Sequence, residues 1–275
     1  IAADGFYMLA LNVKDQALYV GIRSTFYRIA TIAGQGLLIM LAGGLEIWSG
    51  NIKYAWSITF FILAGLFLAF SLYHKYILPA PGSDKSVVGQ NNASSIMEGF
   101  IETFASFFRK KQAGVAILFM LFYRFPEAQL VKLINPFLLD PVEKGGLGLT
   151  TAEVGLVYGT IGIIGLTLGG IIGGICAAKG GLQKWLWPMA WSISLTCVTF
   201  VYLGYVQPQD LLTINICVFI EQFGYGFGFT AYMLYLIYYS DGEHKTAHYA
   251  ICTAFMALGM MLPGMAAGWL QDHIG

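Results

Sequence analysis

Seven stretches of about 20 apolar residues restrict the fold of this chain more than any other feature. A helix of that length crosses the hydrocarbon core of a bilayer, because it satisfies its backbone hydrogen bonds internally. The chain is 57% hydrophobic and 11% charged, whereas about a quarter of the residues in a soluble domain are charged. We therefore predict an all-α integral membrane protein. The predicted spans are residues 29–48, 54–73, 115–139, 154–178, 185–206, 211–239 and 249–270.

The basic residues between these spans predict the orientation of the chain. With a cytoplasmic N-terminus, eleven of them lie on the cytoplasmic side and two, Lys53 and Lys144, on the other side. Because cytoplasmic loops carry the excess of Lys and Arg, we expect the N-terminus inside and the C-terminus outside. The formal net charge of zero argues against a nucleic-acid partner. The eleven are Lys14, Arg23, Arg28, Lys75, Lys85, Arg109, Lys110, Lys111, Lys179, Lys184 and Lys245.

One long connector, residues 74–114, separates an N-terminal part (1–73) from a C-terminal part (115–275). It begins with the polar stretch LPAPGSDKSVVGQNNASS, which is typical of a linker. It continues as SIMEGFIETFASFFRKK, where apolar residues recur at helical spacing behind a possible Ser95–Glu98 capping box. We predict an amphipathic helix on the inner membrane surface. The chain starts without Met and stops abruptly, so we expect a piece of a longer protein.

The span 115–139 carries charges that lipid does not tolerate. Each charge at the centre of a span costs roughly 2.5–3.5 kcal/mol on insertion scales. Arg124, Glu127, Lys132 and Asn135 fall on one helical face, and we expect Pro126 and Pro136 to break the backbone beside them. Arg124 and Glu127 can pair with each other at i and i+3. Alternatively this face lines a central cavity, where Arg124 or Lys132 holds an anionic substrate group and Glu127 carries a proton or orients the arginine.

A second polar site lies in the span 211–239, which contains Glu221 but no Lys or Arg. A carboxyl group that has no ion-pair partner on its own helix and is removed from water takes up a proton more readily. We therefore interpret Glu221 as a proton carrier or substrate contact, with a structural bond to another helix as the alternative. Gln222 is its neighbour, and Tyr225 and Tyr232 continue the face. Their rings either stack on sugars or pack between helices.

Glycines dominate one side of the span 154–178, which opens with Thr150 and Glu153 at capping-box spacing. Gly165, Gly169 and Gly173 recur at every fourth residue. Small residues at this spacing allow close approach of membrane helices, and also suit helices that move past each other. The span ends in a basic turn that contains Gly174, Lys179, Gly181 and Lys184.

Several stretches of the chain resemble one family. A glycine-rich helix followed by a basic turn resembles the junction of helices 8 and 9 in major facilitator transporters, although Ala178 stands where that family usually has Asp. Other stretches are similar to the AmpG-type muropeptide permease branch of that superfamily. These are AADGFYMLAL, GIRSTFYRIATIAGQGLLIMLAG, FFRKKQAGVAILFMLFYRFPEA, PFLLDPVEKGGLGLTTAEVGLVYG, FIEQFGYGFGFTAY and TAHYAICTAFMALGMMLPGMAAGWL.

This resemblance implies an incomplete major facilitator fold, in which the seven spans are helices 5 to 11 of twelve. It implies a monomer in the bacterial inner membrane that imports GlcNAc–anhydroMurNAc peptides with protons. Acyl-CoA, an oligosaccharide or another organic anion are the alternative solutes. The family pattern also places an acidic residue near the end of helix 4, which Asp4 matches; Asp4 is then a candidate for proton coupling and Arg28 its partner at the cytoplasmic mouth.

Two classes other than transport remain to be considered. An intramembrane enzyme needs paired aspartates, GxSxG or HExxH in its spans, and none of these motifs is present. A retinal protein needs a lysine midway along its last helix, and residues 249–270 contain none. Since the four cysteines lie singly in apolar runs, we interpret them as packing residues and expect neither a metal nor a cofactor.

Overall fold

The computed structural model describes residues 2–32, 38–79 and 93–274, and every regular element in these ranges is a helix. The α-helices are α1 (Ala2–Ala10), α2 (Val13–Ile32), α3 (Leu38–Ser49), α4 (Ile52–Ile77), α5 (Ala93–Phe108), α6 (Ala113–Phe122), α7 (Phe125–Leu139), α8 (Thr151–Leu156), α9 (Gly162–Gly180), α10 (Leu182–Leu195), α11 (Val198–Val206), α12 (Leu211–Ser240) and α13 (Lys245–Ile274). A 3₁₀ turn (Val142–Lys144) follows α7, and a π-helical segment (Val157–Ile161) joins α8 to α9.

Six helical stretches in the described ranges are long and apolar enough to cross a membrane. Each contains one of the predicted spans, so those six predictions are confirmed. The remaining prediction, 29–48, includes residues 33–37, which lie outside the described part of the chain. The six stretches are Ile52–Ile77, Ala113–Leu139, Glu153–Gly180, Leu182–Val206, Leu211–Ser240 and Lys245–Gln271.

The chain forms two compact units, and the smaller one is Ser24–Lys85. Within it, α3 packs along α4. The Asn51 side chain accepts a hydrogen bond from the N–H of Tyr54 at 3.2 Å and so caps the start of α4. Among the described side chains of α4, Ala55 and Thr59 are buried, while most of the large apolar ones are exposed. This helix therefore presents apolar surface on most sides.

The larger unit comprises Ile1–Arg23 and Ser86–Gly275, and α12 is its central helix. The glycine face of α9 lies directly against α12. A Cβ added at Gly165 would lie 2.7 Å from the carbonyl oxygen of Phe219, and one added at Gly173 would lie 2.9 Å from Oγ1 of Thr230. Such contacts leave no room for a side chain. The glycine spacing therefore brings two helix backbones together, as predicted.

The neighbouring face of α9 approaches α2 in the same way. A Cβ at Gly174 would lie 2.8 Å from the carbonyl oxygen of Leu18, and one at Gly170 would lie 3.3 Å from the Cα of Gly21. Thus α9 touches both α12 and the first half of α2 through glycines.

The predicted amphipathic segment is a helix, α5, although the side chain of Ser95 lies outside the described part of the structure. Phe107 is fully buried, and its ring packs 5.7 Å from that of Tyr239 and 6.2 Å from that of Phe255. Lys110 Nζ donates to the carbonyl oxygens of Tyr239 at 2.7 Å and Asp241 at 2.6 Å, and so caps the C-terminus of α12. Partial burial lowers the pKa of Lys110.

Five other large apolar side chains of α5 are exposed. Contact of this face with the membrane surface stays a prediction. The exposed residues are Met97, Phe100, Ile101, Phe104 and Phe108.

Candidate functional site

The span Ala113–Leu139 is interrupted in its middle, between α6 and α7. Arg124 stands at the interruption with φ −106° and ψ 17°, and Pro126 lies in the first turn of α7. Since proline has no N–H, Pro126 cannot continue the hydrogen-bond ladder of α6. The predicted break at Pro126 is confirmed. The predicted break at Pro136 is wrong, because α7 continues through it to Leu139; one missing hydrogen bond does not end a helix that packs on both sides of it.

Arg124 and Glu127 form a buried ion pair at this break. Nε of Arg124 donates to Oε2 of Glu127 at 2.8 Å, and Nη2 donates to Oε1 at 3.0 Å. The two residues are 8% and 3% exposed. This two-pronged geometry gives each charge an opposite partner at a site where both side chains are buried. The pairing that the i, i+3 spacing allows is therefore present.

Aromatic side chains of α12 surround the same guanidinium. Nη2 of Arg124 also donates to the hydroxyl oxygen of Tyr225 at 3.0 Å. The Cζ atom lies 5.3 Å from the ring centroid of Tyr225 and 4.9 Å from that of Phe229, both within the range of a cation–π contact. These three hydrogen bonds use Nε and Nη2 of the arginine. The two donors on Nη1 are therefore available to other groups.

Tyr232, two turns beyond Tyr225 on α12, packs against the end of α6. Its hydroxyl donates to the carbonyl oxygen of Met120 at 2.6 Å, and its ring stacks on that of Tyr123 at 4.7 Å. Tyr123 in turn donates to the carbonyl oxygen of Gly228 at 2.9 Å. Tyr232 is completely buried. The tyrosine face was expected either to stack on sugars or to pack between helices. Tyr232 packs between helices, whereas Tyr225 lies beside the charged pair.

Glu221 lies one turn before Tyr225 and is 1% exposed. Sequence reasoning treated it as unpaired, but Nε2 of Gln222 donates to its Oε2 at 2.8 Å. The same nitrogen donates to the hydroxyl oxygen of Tyr158 at 2.7 Å. Tyr158 belongs to the π-helical segment and was not predicted as a site residue, because no spacing pattern in the sequence marks a π turn.

Two predicted site residues of α7 lie apart from this cluster. Lys132 and Asn135 are exposed. The stem of Lys132 runs along α13, where a Cβ at Gly264 would lie 3.1 Å from its Cε. At 100° per residue, Lys132 is about 140° around α7 from Glu127. The single polar face that we predicted is therefore divided between a buried side and an exposed side.

The described side chains include one ion-pair partner of Asp4. Asp4 pairs with Arg23, whose guanidinium also lies 5.2 Å from the ring centroid of Tyr7. We expected Arg28 to be the partner; its side chain lies outside the described part of the structure. Pairing of Asp4 with Arg28 therefore stays a prediction.

The turn between α9 and α10 carries the remaining predicted residues. Lys179 and Lys184 are exposed on either side of Gly181, which adopts φ +77°, a conformation that favours glycine. A cleft of about 400 Å³ lies here, lined among others by Lys14, Gly181 and Lys245. Within the described ranges, no group of three His, Cys, Asp or Glu side chains could hold a metal ion.

No family model matches the chain, but individual proteins are similar over most of it. It is 28% identical to "Putative transporter AmpG 4" of Rickettsia felis over its whole length and 63% of that protein. It is 25% identical over 98% of its length to "Putative transporter AmpG 2" of Rickettsia typhi, covering 60% of that protein. It is 22% identical over 89% of its length to "Anhydromuropeptide permease" of Escherichia coli K12, covering 48% of that protein.

The chain therefore spans less than two thirds of the length of these curated relatives. The similarity extends through the long apolar helices and agrees with an all-α membrane protein. Along most or all of its length, the chain is thus similar to proteins named as AmpG transporters and as an anhydromuropeptide permease.

Proposed function

We propose that the chain belongs to a secondary active transporter that imports muropeptide-like solutes, a GlcNAc–anhydroMurNAc sugar with an attached peptide, together with protons. The observation that carries this proposal is the buried Arg124–Glu127 pair at a helix break. An ion pair removed from water is costly, and in a membrane span it marks a substrate or ion pathway by default. The relatives named AmpG and anhydromuropeptide permease support the solute class.

Arg124 is the group that we assign to the anionic part of the solute. Peptide carboxylates match the planar guanidinium, which binds them through two parallel hydrogen bonds. Glu127 already occupies the Nε and Nη2 edge. A solute carboxylate therefore either adds at Nη1 or replaces Glu127, and protonation of Glu127 favours replacement by removing its charge. Tyr225 and Gln222 are the residues that we assign to the sugar rings.

Glu221 is the residue that we assign to proton coupling, with Asp4 as a second candidate. A neutral carboxyl group moves through an apolar environment at lower cost than a carboxylate. Glu221 therefore binds one proton on the outer side and releases it to the cytoplasm when the site opens inward. The proton gradient then drives accumulation of the solute.

The glycine contact between α2 and α9 supports alternating access. Glycine surfaces separate with little loss of side-chain contact, so they suit an interface that opens and closes. With the N-terminus in the cytoplasm, the end of α9 near Gly174 closes the cytoplasmic side. We assign Lys179, Gly181 and Lys184 to the cytoplasmic mouth; Arg28, whose side chain lies outside the described part of the structure, remains a candidate for it from the sequence.

The proposed setting is a monomer in the bacterial inner membrane. Residues 1–73 form the rest of an N-terminal half, residues 74–114 a cytoplasmic connector, and residues 115–275 most of a C-terminal half. The basic residues counted above support this orientation.

Uptake by the full-length protein in proteoliposomes tests the proposal. Labelled GlcNAc–anhydroMurNAc tripeptide should accumulate when the outside is acidic, and accumulation should fall at least tenfold with Glu221→Gln. Glu143→Gln removes an exposed carboxylate of the 3₁₀ turn and should leave uptake unchanged. Uptake that is indifferent to both the gradient and Glu221→Gln would reject proton coupling through Glu221. Accumulation of an acyl-CoA instead would reject the muropeptide.

A further inference from the structure

The π-helical segment Val157–Ile161 contacts α12 at Gln222, the neighbour of the buried Glu221. π turns are rare and occur mostly as single bulges in α-helices, often at functional sites. This one precedes Gly162, where an added Cβ would lie 3.3 Å from Cγ of Gln222. The bulge and the glycine together bring α9 close to the side chain of Gln222. Tyr158 is the residue of the bulge that bonds to that side chain.

The NH₂ group of Gln222 donates hydrogen bonds to two side chains. Its NH₂ group has two hydrogens, and they reach Oε2 of Glu221 at 2.8 Å and the hydroxyl oxygen of Tyr158 at 2.7 Å. With the amide in this orientation, both hydrogens point to acceptors, and the bond to Glu221 favours the ionised carboxylate. Without Tyr158, one hydrogen of a buried amide would lose its acceptor.

We propose that Tyr158 is a positioning residue for proton coupling: it holds the Gln222 amide against Glu221 and so sets the pH at which Glu221 takes up a proton. This inference rests on the proton role proposed for Glu221. The hydroxyl of Tyr158 suits the task because it both accepts and donates hydrogen bonds.

The two protonation states of Glu221 favour opposite orientations of the Gln222 amide, because the carboxylate only accepts hydrogen bonds whereas the protonated group also donates one. When Glu221 is ionised, the NH₂ group faces it and Tyr158 accepts the second hydrogen. When Glu221 is protonated, its O–H donates to the amide oxygen after the amide has turned over. Tyr158 then donates to that same oxygen. A phenylalanine leaves an unsatisfied N–H in the ionised state, whereas in the protonated state the amide oxygen still accepts from Glu221. Loss of the hydroxyl therefore disfavours the ionised state.

Two other ionisable groups lie near Glu221. Cys197, at the junction of α10 and α11, lies within electrostatic range of both Glu221 and Glu127. Glu127 on α7 is held by Arg124. Tyr158→Phe changes none of these groups, so a shift in the titration of Glu221 reports on the hydroxyl alone.

Infrared titration of the carboxyl C=O stretch measures this directly in the purified full-length protein, with Glu221→Gln as the subtraction reference. Tyr158→Phe should shift the midpoint of the Glu221 band to higher pH by about one unit, the size expected from one lost buried hydrogen bond. Tyr202→Phe removes a hydroxyl from a half-exposed ring of α11 and should leave the midpoint unchanged. An unchanged midpoint in Tyr158→Phe overturns the inference.

A second variant tests whether Tyr158 acts through Gln222. In a Gln222→Met background, Tyr158→Phe should give no further shift, because the amide that it positions is gone. An equal shift in both backgrounds would show that Tyr158 acts on Glu221 directly and would reject the positioning role. The infrared titration of Glu221 is measured without solute. Failure of the uptake experiment would therefore reject the proposed transport without affecting the measured effect of Tyr158 on Glu221.

Discussion

The guanidinium of Arg124 contacts two kinds of partner, the carboxylate of Glu127 and the ring faces of Tyr225 and Phe229. The carboxylate neutralises the charge, and the rings replace water around it. The sequence predicted the first contact, because i, i+3 spacing places the two residues together. It could not predict the second, because contacts between α7 and α12 depend on how each helix is rotated.

Removal of one member of this pair should destabilise the protein strongly. Glu127→Leu leaves a buried arginine without its counter-charge, which costs about 3–5 kcal/mol. We expect a marked fall in the melting temperature in detergent, and recovery of most of it when Arg124→Met is added. Lys132→Met alters an exposed charge on the same helix and should change stability by about 0.5 kcal/mol or less. Equal melting temperatures for Glu127→Leu and Lys132→Met would contradict the burial of the pair.

At the scale of helices, the hydrophobic lengths and caps were predictable. The Thr150–Glu153 capping box is present, with the Thr150 N–H donating to Oε2 of Glu153 at 2.8 Å and Oγ1 of Thr150 accepting from the Glu153 N–H at 3.3 Å. The π bulge after α8 and the uninterrupted passage of α7 through Pro136 were not predictable. Both are set by packing against neighbouring helices, which a one-dimensional pattern does not contain.

Replacement of glycine by alanine should change the stability of the protein in opposite directions at two positions of the same membrane span. Gly165→Ala places its Cβ 2.7 Å from the carbonyl oxygen of Phe219 and should destabilise the protein by about 1–3 kcal/mol, the usual cost of overpacking. Gly155→Ala meets no atom within 4 Å and should stabilise it by up to about 1 kcal/mol through helix propensity. The melting temperatures of both variants test this: Gly165→Ala should melt below the wild type and Gly155→Ala at or above it. Stabilisation by Gly165→Ala would contradict the close approach of α9 and α12.

At the scale of the whole molecule, the basic residues between spans predict which ends lie in the cytoplasm. The helices agree with six of the spans on which this count rests. The orientation is a prediction of the sequence. The orientation also determines on which side of the membrane the glycine contact between α2 and α9 would close the transporter.

Cysteine labelling in spheroplasts tests the orientation. After replacement of the four native cysteines by alanine, Lys144→Cys, in the turn after α7, should react with an impermeant maleimide from outside. Lys184→Cys, after the turn that follows α9, should react only once the membrane is permeabilised. The reverse pattern would invert the proposed topology and place the α2–α9 contact on the outer side.

The central claim is that Arg124 holds the anionic group of a muropeptide. Exchange of labelled for unlabelled GlcNAc–anhydroMurNAc tripeptide, in proteoliposomes of the full-length protein without a pH gradient, measures solute recognition separately from proton coupling. Arg124→Gln should lower the exchange rate at least tenfold, because a buried charge-assisted bond to a carboxylate contributes about 1.5–3 kcal/mol. Lys132→Gln, on the exposed side of α7, should retain most of the exchange. Exchange by Arg124→Gln at the wild-type rate would contradict the claim.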